Sequence, residues 1–451
     1  MDYKAILEDI KPTVDEKNHI DDVSCKLIQF LQKECDNSNL GAKVALVGSV
    51  AKNTALKGKS DIDIFIAFPL DTDKQFLKDM GLELAHKCCD EFKSNPEHHF
   101  ASHPYVTTHI EGCEVDIVPC YAIEDGSQLK SAVDRTILHT RYVTEKLSES
   151  QQDEVLLLKR FMAMTGTYGS EFKVGGFAGY LCELLIIHYG NFENTLKAAI
   201  NWKFGHIIDL ESYGTSNQFK DPLIVIDPTD KNRNVGAALR LDKMAEFIQS
   251  ARNFIFSDNK ADYFYPIERN LNKLDLIQEF DKRNSDFIAI KFEIPNMPLD
   301  TLHPQLKKTT EALERKLNSE EFNVFKADYW SDEILNCIIL LEMASSKLNN
   351  VKVNKGPKVF ITQACENFAA KYGRENCYVD GDFLVHTQNR EFVNAHDLVK
   401  HVLTKEHINL IKVGKNLKNN LINTYEFIEL DEIDNLEFLD DFINPGQYIV
   451  R

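Results

Sequence analysis

Residues 48–65 read GSVAKNTALKGKSDIDIF, and this stretch decides how the first part of the chain folds. Its Gly48-Ser49 pair opens a short predicted helix, whose backbone N–H groups would suit a phosphate. Asp61 and Asp63 then stand at the head of an apolar strand, and they share a face because side chains alternate along a strand. Two such carboxylates repel each other unless a cation lies between them, and hard divalent ions such as Mg²⁺ prefer carboxylate oxygens. The segment therefore predicts a site for a metal ion and a nucleotide.

A third carboxylate, Asp116, lies in a second apolar strand, EVDIVP at residues 114–119. The isoleucines that alternate with the first two aspartates make the opposite face of their strand apolar. Three carboxylates from two neighbouring strands form a ligand set for two ions about 3.5–4 Å apart, which clamp the attacking and leaving oxygens in phosphoryl chemistry. Asp116 is also a candidate general base. Glu114 shares its face and is the weaker candidate.

Length and composition place the chain among globular proteins with several domains. Its 451 residues exceed the ~250–300 residues that one hydrophobic core supports, so at least three domains are expected. Hydrophobic residues make up 43%, and no apolar run approaches the ~18 residues of a membrane-crossing helix, so no membrane association is predicted. The charged N-terminus lacks the apolar core of a signal peptide. Ten scattered cysteines without a CxxC pair favour reduced thiols in the cytoplasm over a zinc site.

The charge distribution bears on whether the chain binds nucleic acid. Lys+Arg 52 against Asp+Glu 70 gives a net charge of −18, which by itself disfavours a nucleic-acid partner. Local patches matter more than the total, however. Residues 426–441 are acidic and contain no Lys or Arg, whereas lysines are frequent just before them: Lys400, Lys405, Lys412, Lys415 and Lys418. This asymmetry is compatible with one basic, RNA-facing surface on an acidic body.

Hydrophobic periodicity predicts an α+β chain of several domains. The first region has predicted helices at 20–35 and 74–92 and predicted strands at 44–47, 62–68, 105–109 and 114–118. Further helical patterns cover residues 151–202, interrupted by glycines, and residues 234–252. A strand at 287–294 and helices at 305–317 and 332–347 are predicted for a later α/β region.

Several motifs together resemble one enzyme family. The order GSxxxxT, KGxSDID and a distant third aspartate is similar to the DNA-polymerase-β-like nucleotidyltransferases, and most of all to the archaeal-type, class I CCA-adding tRNA nucleotidyltransferases. The resemblance extends over most of the chain and is densest from residue 48 to residue 235. Other similar motifs are HPYV at 103–106, EVDIVPCY at 114–121, DRT at 134–136 with His139, LLLK at 156–159, YGSEFKV at 168–174, DPTDKNRNV at 227–235 and GPKV at 356–359.

The resemblance implies a role for each matching residue. The metal ligands and catalytic groups would be Asp61, Asp63 and Asp116. Gly48 and Ser49 would hold the β- and γ-phosphates, Thr136 and His139 would contact the ribose and triphosphate, Lys159 and Tyr168 would bind the phosphate tail, and Arg233 would reach the base. Lys52 stands where the family usually has arginine. A lysine keeps the charge for phosphate binding but loses the bidentate fork.

The resemblance also implies the architecture and the reaction. A polymerase-β-like head (residues 1–147) would precede a helical neck for base recognition (148–260) and an α/β body and tail for tRNA binding (261–451). The enzyme would add or repair the 3′-terminal CCA of tRNA from CTP and ATP, with Mg²⁺ as cofactor and release of pyrophosphate. It would grip the acceptor and T arm by shape, as A-form RNA requires. A cytoplasmic location and a homodimer complete these expectations.

Alternatives to this interpretation differ in acceptor or in activity. A poly(A) polymerase or another nucleotidyltransferase of the superfamily would share the three aspartates, but it would not account for the long C-terminal half. A catalytically silent RNA-binding protein is the non-enzyme alternative, and the intact carboxylates argue against it. Taken one at a time, His139, Lys159 and Tyr168 could be ordinary structural residues, and the glycines from 166 to 179 could merely allow tight helix packing.

Overall fold

Two units make up the structure, a computed structural model that describes residues 2–59, 61–99 and 104–451. The first unit is Met1–Glu268 with Gly446–Arg451, and the second is Arg269–Pro445. Ser60 of the KGxSDID motif and His103 of the HPYV motif lie outside the described residues. In the described ranges, no helix is both long enough and apolar enough to span a membrane.

The first unit begins with a five-stranded sheet flanked by helices. The sheet has the order β1-β2-β5-β4-β3, in which only β2 and β5 run parallel. Its elements are α1 (Lys4–Ile10), α2 (Val14–Asn37), β1 (Lys43–Val47), α3 (Gly48–Ala51), β2 (Ile62–Phe68), α4 (Lys74–Glu91), β3 (Glu97–His99), β4 (Tyr105–Ile110) and β5 (Cys113–Tyr121). Each strand predicted from the sequence in this region is present. Both predicted helices are present as well: α2 is longer than predicted at both ends, and α4 ends one residue before its predicted end.

Strand β2 separates two cores because its side chains alternate faces. Ile62, Ile64 and Ile66 pack with α2 and α4 in the larger core. Phe65 and Ala67 face the opposite side and belong to a smaller core. A side chain at position 63 therefore lies on the side away from α2 and α4, which is the side on which the sequence placed it.

The remainder of the first unit is mainly helical. Its elements are α5 (Arg135–Lys146), α6 (Glu149–Met164), α7 (Gly179–Tyr189), α8 (Phe192–Ala199), β6 (His206–Ile208), β7 (Leu223–Asp227), β8 (Asp230–Asn234) and α9 (Leu241–Phe256). Strands β7 and β8 form an antiparallel hairpin, and β6 pairs with β7 in parallel. The helical prediction for 234–252 began too early, because residues 230–234 form β8 and a short 3₁₀ turn precedes α9.

The second unit contains a four-stranded antiparallel sheet, β10-β11-β9-β15, and a three-stranded sheet, β12-β14-β13. Its elements are α10 (Lys273–Lys282), β9 (Asp286–Glu293), α11 (Leu299–Ser319), β10 (Val324–Ser331), β11 (Asn336–Met343), β12 (Val351–Lys358), α12 (Thr362–Tyr372), β13 (Cys377–Asp380), β14 (Phe383–Asn389), α13 (Ala395–Val402), α14 (Lys418–Thr424), β15 (Glu426–Ile428) and α15 (Leu436–Ile443). The helix predicted at 332–347 is wrong, because strand β11 occupies its centre. The α+β fold class is confirmed.

Candidate active site

Asp63 and Asp116 lie side by side on the two parallel strands at the centre of the first sheet. The strand register pairs Asp63 on β2 with Asp116 on β5. Asp61 immediately precedes β2 and is exposed, whereas the other two are half-buried. Because β2 and β5 are paired in register, two of the three predicted metal ligands lie next to each other on one face of the sheet.

The surroundings of these two carboxyl groups disfavour their ionised forms, so the pKa of each is raised. Burial, together with the charges of Asp116 and Asp61, raises the pKa of Asp63 to about 7. Burial also raises the pKa of Asp116, although the Thr107 hydroxyl donates a hydrogen bond to its Oδ1 at 2.5 Å and opposes the shift. A group whose charged form is disfavoured by burial and like charges is a favourable ligand for a cation.

A divalent ion fits this donor set when a nucleotide supplies further oxygens. Within the described residues, no three His, Cys, Asp or Glu side chains are arranged to hold a metal by themselves. Mg²⁺ is usually held by only one or two carboxylates together with substrate phosphates and water. The oxygen-only chemistry of Asp61, Asp63 and Asp116 matches that requirement.

Gly48 brings the backbone of the Gly-Ser turn against the carboxylate face. It starts the four-residue helix α3 with a φ of +75°, a conformation that L side chains rarely adopt. A Cβ at this position would lie 1.9 Å from Asp63 Oδ2. The predicted phosphate turn, which includes Ser49, is therefore directly adjacent to the predicted metal ligand, and only glycine allows that approach.

Lys52 and Lys159 meet at one buried carboxylate, which the sequence did not reveal. Glu183 on α7 is fully buried and accepts hydrogen bonds from Lys52 Nζ at 2.6 Å and Lys159 Nζ at 3.4 Å. Thr54 lies between them, donating to Glu183 Oε1 at 2.6 Å and accepting from Lys159 at both its carbonyl and its hydroxyl. Burial raises the pKa of Glu183, but the two lysines outweigh it and hold the net pKa below its ordinary value.

The side chains of Tyr168 and Lys159 both lie close to Gly179, the first residue of α7. A Cβ added at Gly179 would lie 3.2 Å from Tyr168 Oη and 3.5 Å from Lys159 Nζ. Burial raises the pKa of Tyr168 above its ordinary value, so its hydroxyl is a neutral donor. The structure thus brings together both residues that were predicted to bind the phosphate tail, with Lys159 inside the protein and Tyr168 half-buried.

A second buried carboxylate, Asp227 at the end of β7, connects His139 and Arg233. Its Oδ2 accepts from His139 Nε2 at 2.9 Å and from Arg233 Nη1 at 2.7 Å. Its Oδ1 accepts from the Thr229 N–H at 2.9 Å and hydroxyl at 2.8 Å, and from Tyr180 Oη at 3.4 Å. Burial acts to raise the pKa of Asp227, but the hydrogen bond and charge of His139, followed by Thr229 and Arg233, bring it well below its ordinary value.

Helix α5 carries Thr136 and His139 over the carboxylate face. Val133 and Ile137 pack into the small core that also holds Phe65 and Val118, so this end of α5 covers the Asp63 side of the sheet. Thr136 is half-buried in the first turn of the helix. The motifs predict His139 and Arg233 as site residues, and they include Asp227 only as the first residue of the DPTDKNRNV motif. The contact between His139 and Asp227 joins residues 88 positions apart, so no local pattern in the sequence predicts it.

Family models match the chain in three successive regions. A nucleotidyltransferase domain matches residues 25–139, the second domain of tRNA nucleotidyltransferase matches residues 153–265, and the C-terminal domain of the CCA-adding enzyme matches residues 283–429. A CCA-adding enzyme of Methanothermobacter thermautotrophicus is 43% identical over 456 residues, covering 100% of this chain and 99% of the relative. The chain belongs to the CCA-adding enzymes. Another member, from Methanosarcina acetivorans, is 38% identical and covers 96% of this chain and 94% of that protein.

Membership of the CCA-adding enzymes makes the chain a tRNA nucleotidyltransferase, as its motifs predicted. Nucleotidyltransferases of this kind generally use a divalent metal, in agreement with the carboxylate pair on β2 and β5. The comparisons give no support to a poly(A) polymerase or to a silent RNA-binding protein. All three matched regions follow the order nucleotidyltransferase domain, second domain and C-terminal domain, which accounts for the long C-terminal half.

Proposed function

We propose that this CCA-adding enzyme transfers CMP and AMP from CTP and ATP to the tRNA 3′ end on the face of the sheet that carries Asp63 and Asp116. The observation that carries the proposal is the parallel register of these two residues, with Asp61 at the head of the strand. The terminal 3′-hydroxyl attacks the α-phosphorus, and pyrophosphate leaves in line. Mg²⁺, when bound by the three aspartates, would supply charge stabilisation for the triphosphate and would acidify the attacking hydroxyl.

The nucleotide lies, in this proposal, between the head sheet and the β7–β8 hairpin. Gly48 and Ser49 bind the β- and γ-phosphates through the turn next to Asp63. Thr136 and His139 contact the ribose and triphosphate from α5. Arg233 reads the base, because an arginine presents several donors in one plane.

The two lysines need a more specific assignment within the same proposal. Lys52 and Lys159 surround Glu183 with two positive charges against one negative charge. The cluster therefore places two basic side chains beside the phosphate turn, although burial lowers the pKa of Lys159. We assign Lys52, Lys159 and Tyr168 to the triphosphate end of the site on this ground.

The tRNA would be held through its acceptor and T arm by residues 261–451, the predicted body and tail. The proposed head (1–147) and neck (148–260) both fall in the first unit of the structure. A cytoplasmic location and a homodimer remain predictions.

Incubation with truncated tRNA tests the proposed function. tRNAs that lack one, two or three 3′ nucleotides should each be extended to the full CCA end by CTP and ATP in the presence of Mg²⁺. Asp63→Ala and Asp116→Ala should each abolish incorporation, because each removes a metal ligand, while tRNA binding measured by filter retention stays near wild type. Turnover above a few per cent of wild type in either variant would contradict the placement of the site. Extension by ATP alone into a long tail would instead identify a poly(A) polymerase.

A further inference from the structure

Asp227 is the most heavily hydrogen-bonded carboxylate beside the proposed nucleotide site, yet nothing in the proposed reaction uses it. Its side chain is 0% exposed, so it cannot reach a nucleotide in solution. Donors from His139, Arg233, Thr229 and Tyr180 saturate both of its oxygens. A buried carboxylate with this many donors is fixed in orientation, and it fixes the groups that donate to it.

The contact with Asp227 leaves one edge of the Arg233 guanidinium directed away from the carboxylate. Arg233 uses Nη1 for Asp227, and in the described part of the chain Nε and Nη2 have no hydrogen-bond partner. The Arg233 side chain is 34% exposed, unlike its buried partner. Asp227 therefore holds one edge of the guanidinium in place. The remaining donors can bind a ligand without the entropy cost of first ordering a mobile arginine side chain.

The same carboxylate determines which nitrogen of His139 carries a proton. An ionised carboxylate only accepts hydrogen bonds, so His139 Nε2 must donate to Asp227. The imidazole stacks on Tyr180 with ring centroids 3.9 Å apart, which fixes its plane. Burial lowers the pKa of His139, although Asp227 opposes the shift, and this favours the neutral ring. In the neutral ring Nδ1 is then an acceptor.

We propose that Asp227 is a positioning residue for nucleotide selection. It holds the Arg233 donors ready for acceptor atoms of the base, and it keeps His139 Nδ1 as an acceptor for a ribose hydroxyl. Asp227 acts through these two residues and makes no contact with the nucleotide. This inference rests on the proposed function, in which Arg233 contacts the base and His139 contacts the ribose.

The variant Asp227→Asn tests this role with almost no change in shape. Because Thr229 supplies two donors to Oδ1, the new amide nitrogen would replace Oδ2 and would face His139 Nε2 and Arg233 Nη1, which are donors themselves. The ratio of kcat/KM for UTP to that for CTP should rise by roughly 5- to 100-fold, the range expected when a bidentate base contact is lost. The preference for ATP over dATP should fall as well, because His139 Nδ1 would then carry the proton.

Asp230→Asn is the matched control on the same hairpin. Asp230 accepts from Arg135 Nε at 3.1 Å and Nη2 at 3.0 Å, so its loss loosens the hairpin from α5 while leaving the Arg233–Asp227 contact intact. Asp230→Asn should keep wild-type selectivity even if it unfolds at a lower temperature. Equal loss of selectivity in both variants would overturn the positioning role, since it would then reflect hairpin docking alone.

The variant Arg233→Ala separates the inference from the function on which it rests. If Arg233→Ala keeps wild-type selectivity, base reading lies elsewhere and the proposed function loses that residue. If Arg233→Ala relaxes selectivity while Asp227→Asn does not, only the role of Asp227 is wrong.

Should Asp227→Asn fail to fold, Thr229→Val serves instead, because it removes one donor to Asp227 Oδ1 and lets the carboxylate turn. Unchanged UTP/CTP and ATP/dATP ratios in Thr229→Val would overturn the inference.

Discussion

At the scale of single residues, the site depends on how closely the backbone at Gly48 approaches the carboxylate of Asp63. Asp63 is half-buried beside two other acids, which raises its pKa to about 7 and favours a cation as its partner. Gly48 allows the backbone of the phosphate turn to reach that carboxylate, and it does so in a left-handed conformation. The DxD spacing was enough to predict which face Asp63 occupies, because strand periodicity is local. The proximity of Gly48 to Asp63 depends on how β1 and β2 pair, so the motif could only suggest it.

Gly48→Ala should strongly reduce incorporation because its Cβ would collide with Asp63 Oδ2. The backbone strain of a left-handed alanine, about 1–2 kcal/mol, comes in addition. Gly58→Ala is a matched control, since Gly58 has a φ of +69° but no atom within 4 Å of an added Cβ. Gly58→Ala should lose only the stability that the strained backbone costs, and Gly48→Ala at least as much in thermal unfolding, whereas only Gly48→Ala should lower kcat at saturating CTP. Equal kcat losses in the two variants would mean that strain, and not the contact with Asp63, limits activity.

At the scale of elements, buried ion pairs tie the phosphate turn to the helices that follow. Lys52 comes directly after α3, Lys159 lies on α6 and Glu183 lies on α7, so one carboxylate joins three segments. The exposed fraction is 8% or less for each of these side chains. Ion pairs of this kind add little net stability but are costly to break, because the remaining charge stays buried.

Glu183→Ala should destabilise the protein by about 3–5 kcal/mol, the cost of leaving buried charges without their partner. Urea unfolding at pH 7, followed by circular dichroism, measures the change. Glu279→Ala provides the control, because Glu279 forms an exposed pair with Lys282 within α10. That pair should be worth less than 1 kcal/mol. Similar midpoints for Glu183→Ala and wild type would show that the lysines are solvated, contrary to their burial.

Strands were predicted well where a polar residue interrupts the apolar run, and less well where the run is apolar throughout. Strand β2 packs against two cores, but it could be recognised because Asp61 precedes it and Asp63 interrupts its apolar residues. The helix predicted at 332–347 lies over strand β11, whose residues Cys337–Met343 are nearly all apolar. In the structure its alternate residues fill two cores, with Ile339 and Leu341 on one side and Ile338 and Leu340 on the other. Continuous apolar runs carry no period, so only the tertiary packing decides between helix and strand.

At the scale of the whole molecule, a net charge of −18 has to be reconciled with a polyanionic substrate. The second unit offers a local basic surface, a depression of about 380 Å³ whose lining includes Arg315, Lys316 and Lys412. Arg315 is paired with Glu311 and Lys316 with Glu320, whereas Lys412 is exposed. Lys412 also belongs to the lysine-rich stretch that the sequence singled out. A patch of this size can bind phosphates even though the chain as a whole is acidic.

The affinity for tRNA should therefore fall with salt in spite of the negative net charge. The logarithm of the binding constant should decrease linearly with the logarithm of salt concentration, by about 0.7–0.9 for each phosphate neutralised. Lys412→Ala should weaken binding at low salt, because it removes one cation from the basic depression. It should also reduce this slope by about 0.7–0.9, the contribution of one phosphate contact. Lys33→Ala, at an exposed position on α2, removes the same charge from the whole molecule and should leave the slope unchanged. Fluorescence anisotropy of labelled tRNA, titrated from about 50 to about 300 mM salt, distinguishes the two variants.

A flat titration for the wild type would mean that shape and hydrogen bonding, without phosphate neutralisation, hold the tRNA. Equal slopes in both variants would place the phosphate contacts outside the depression.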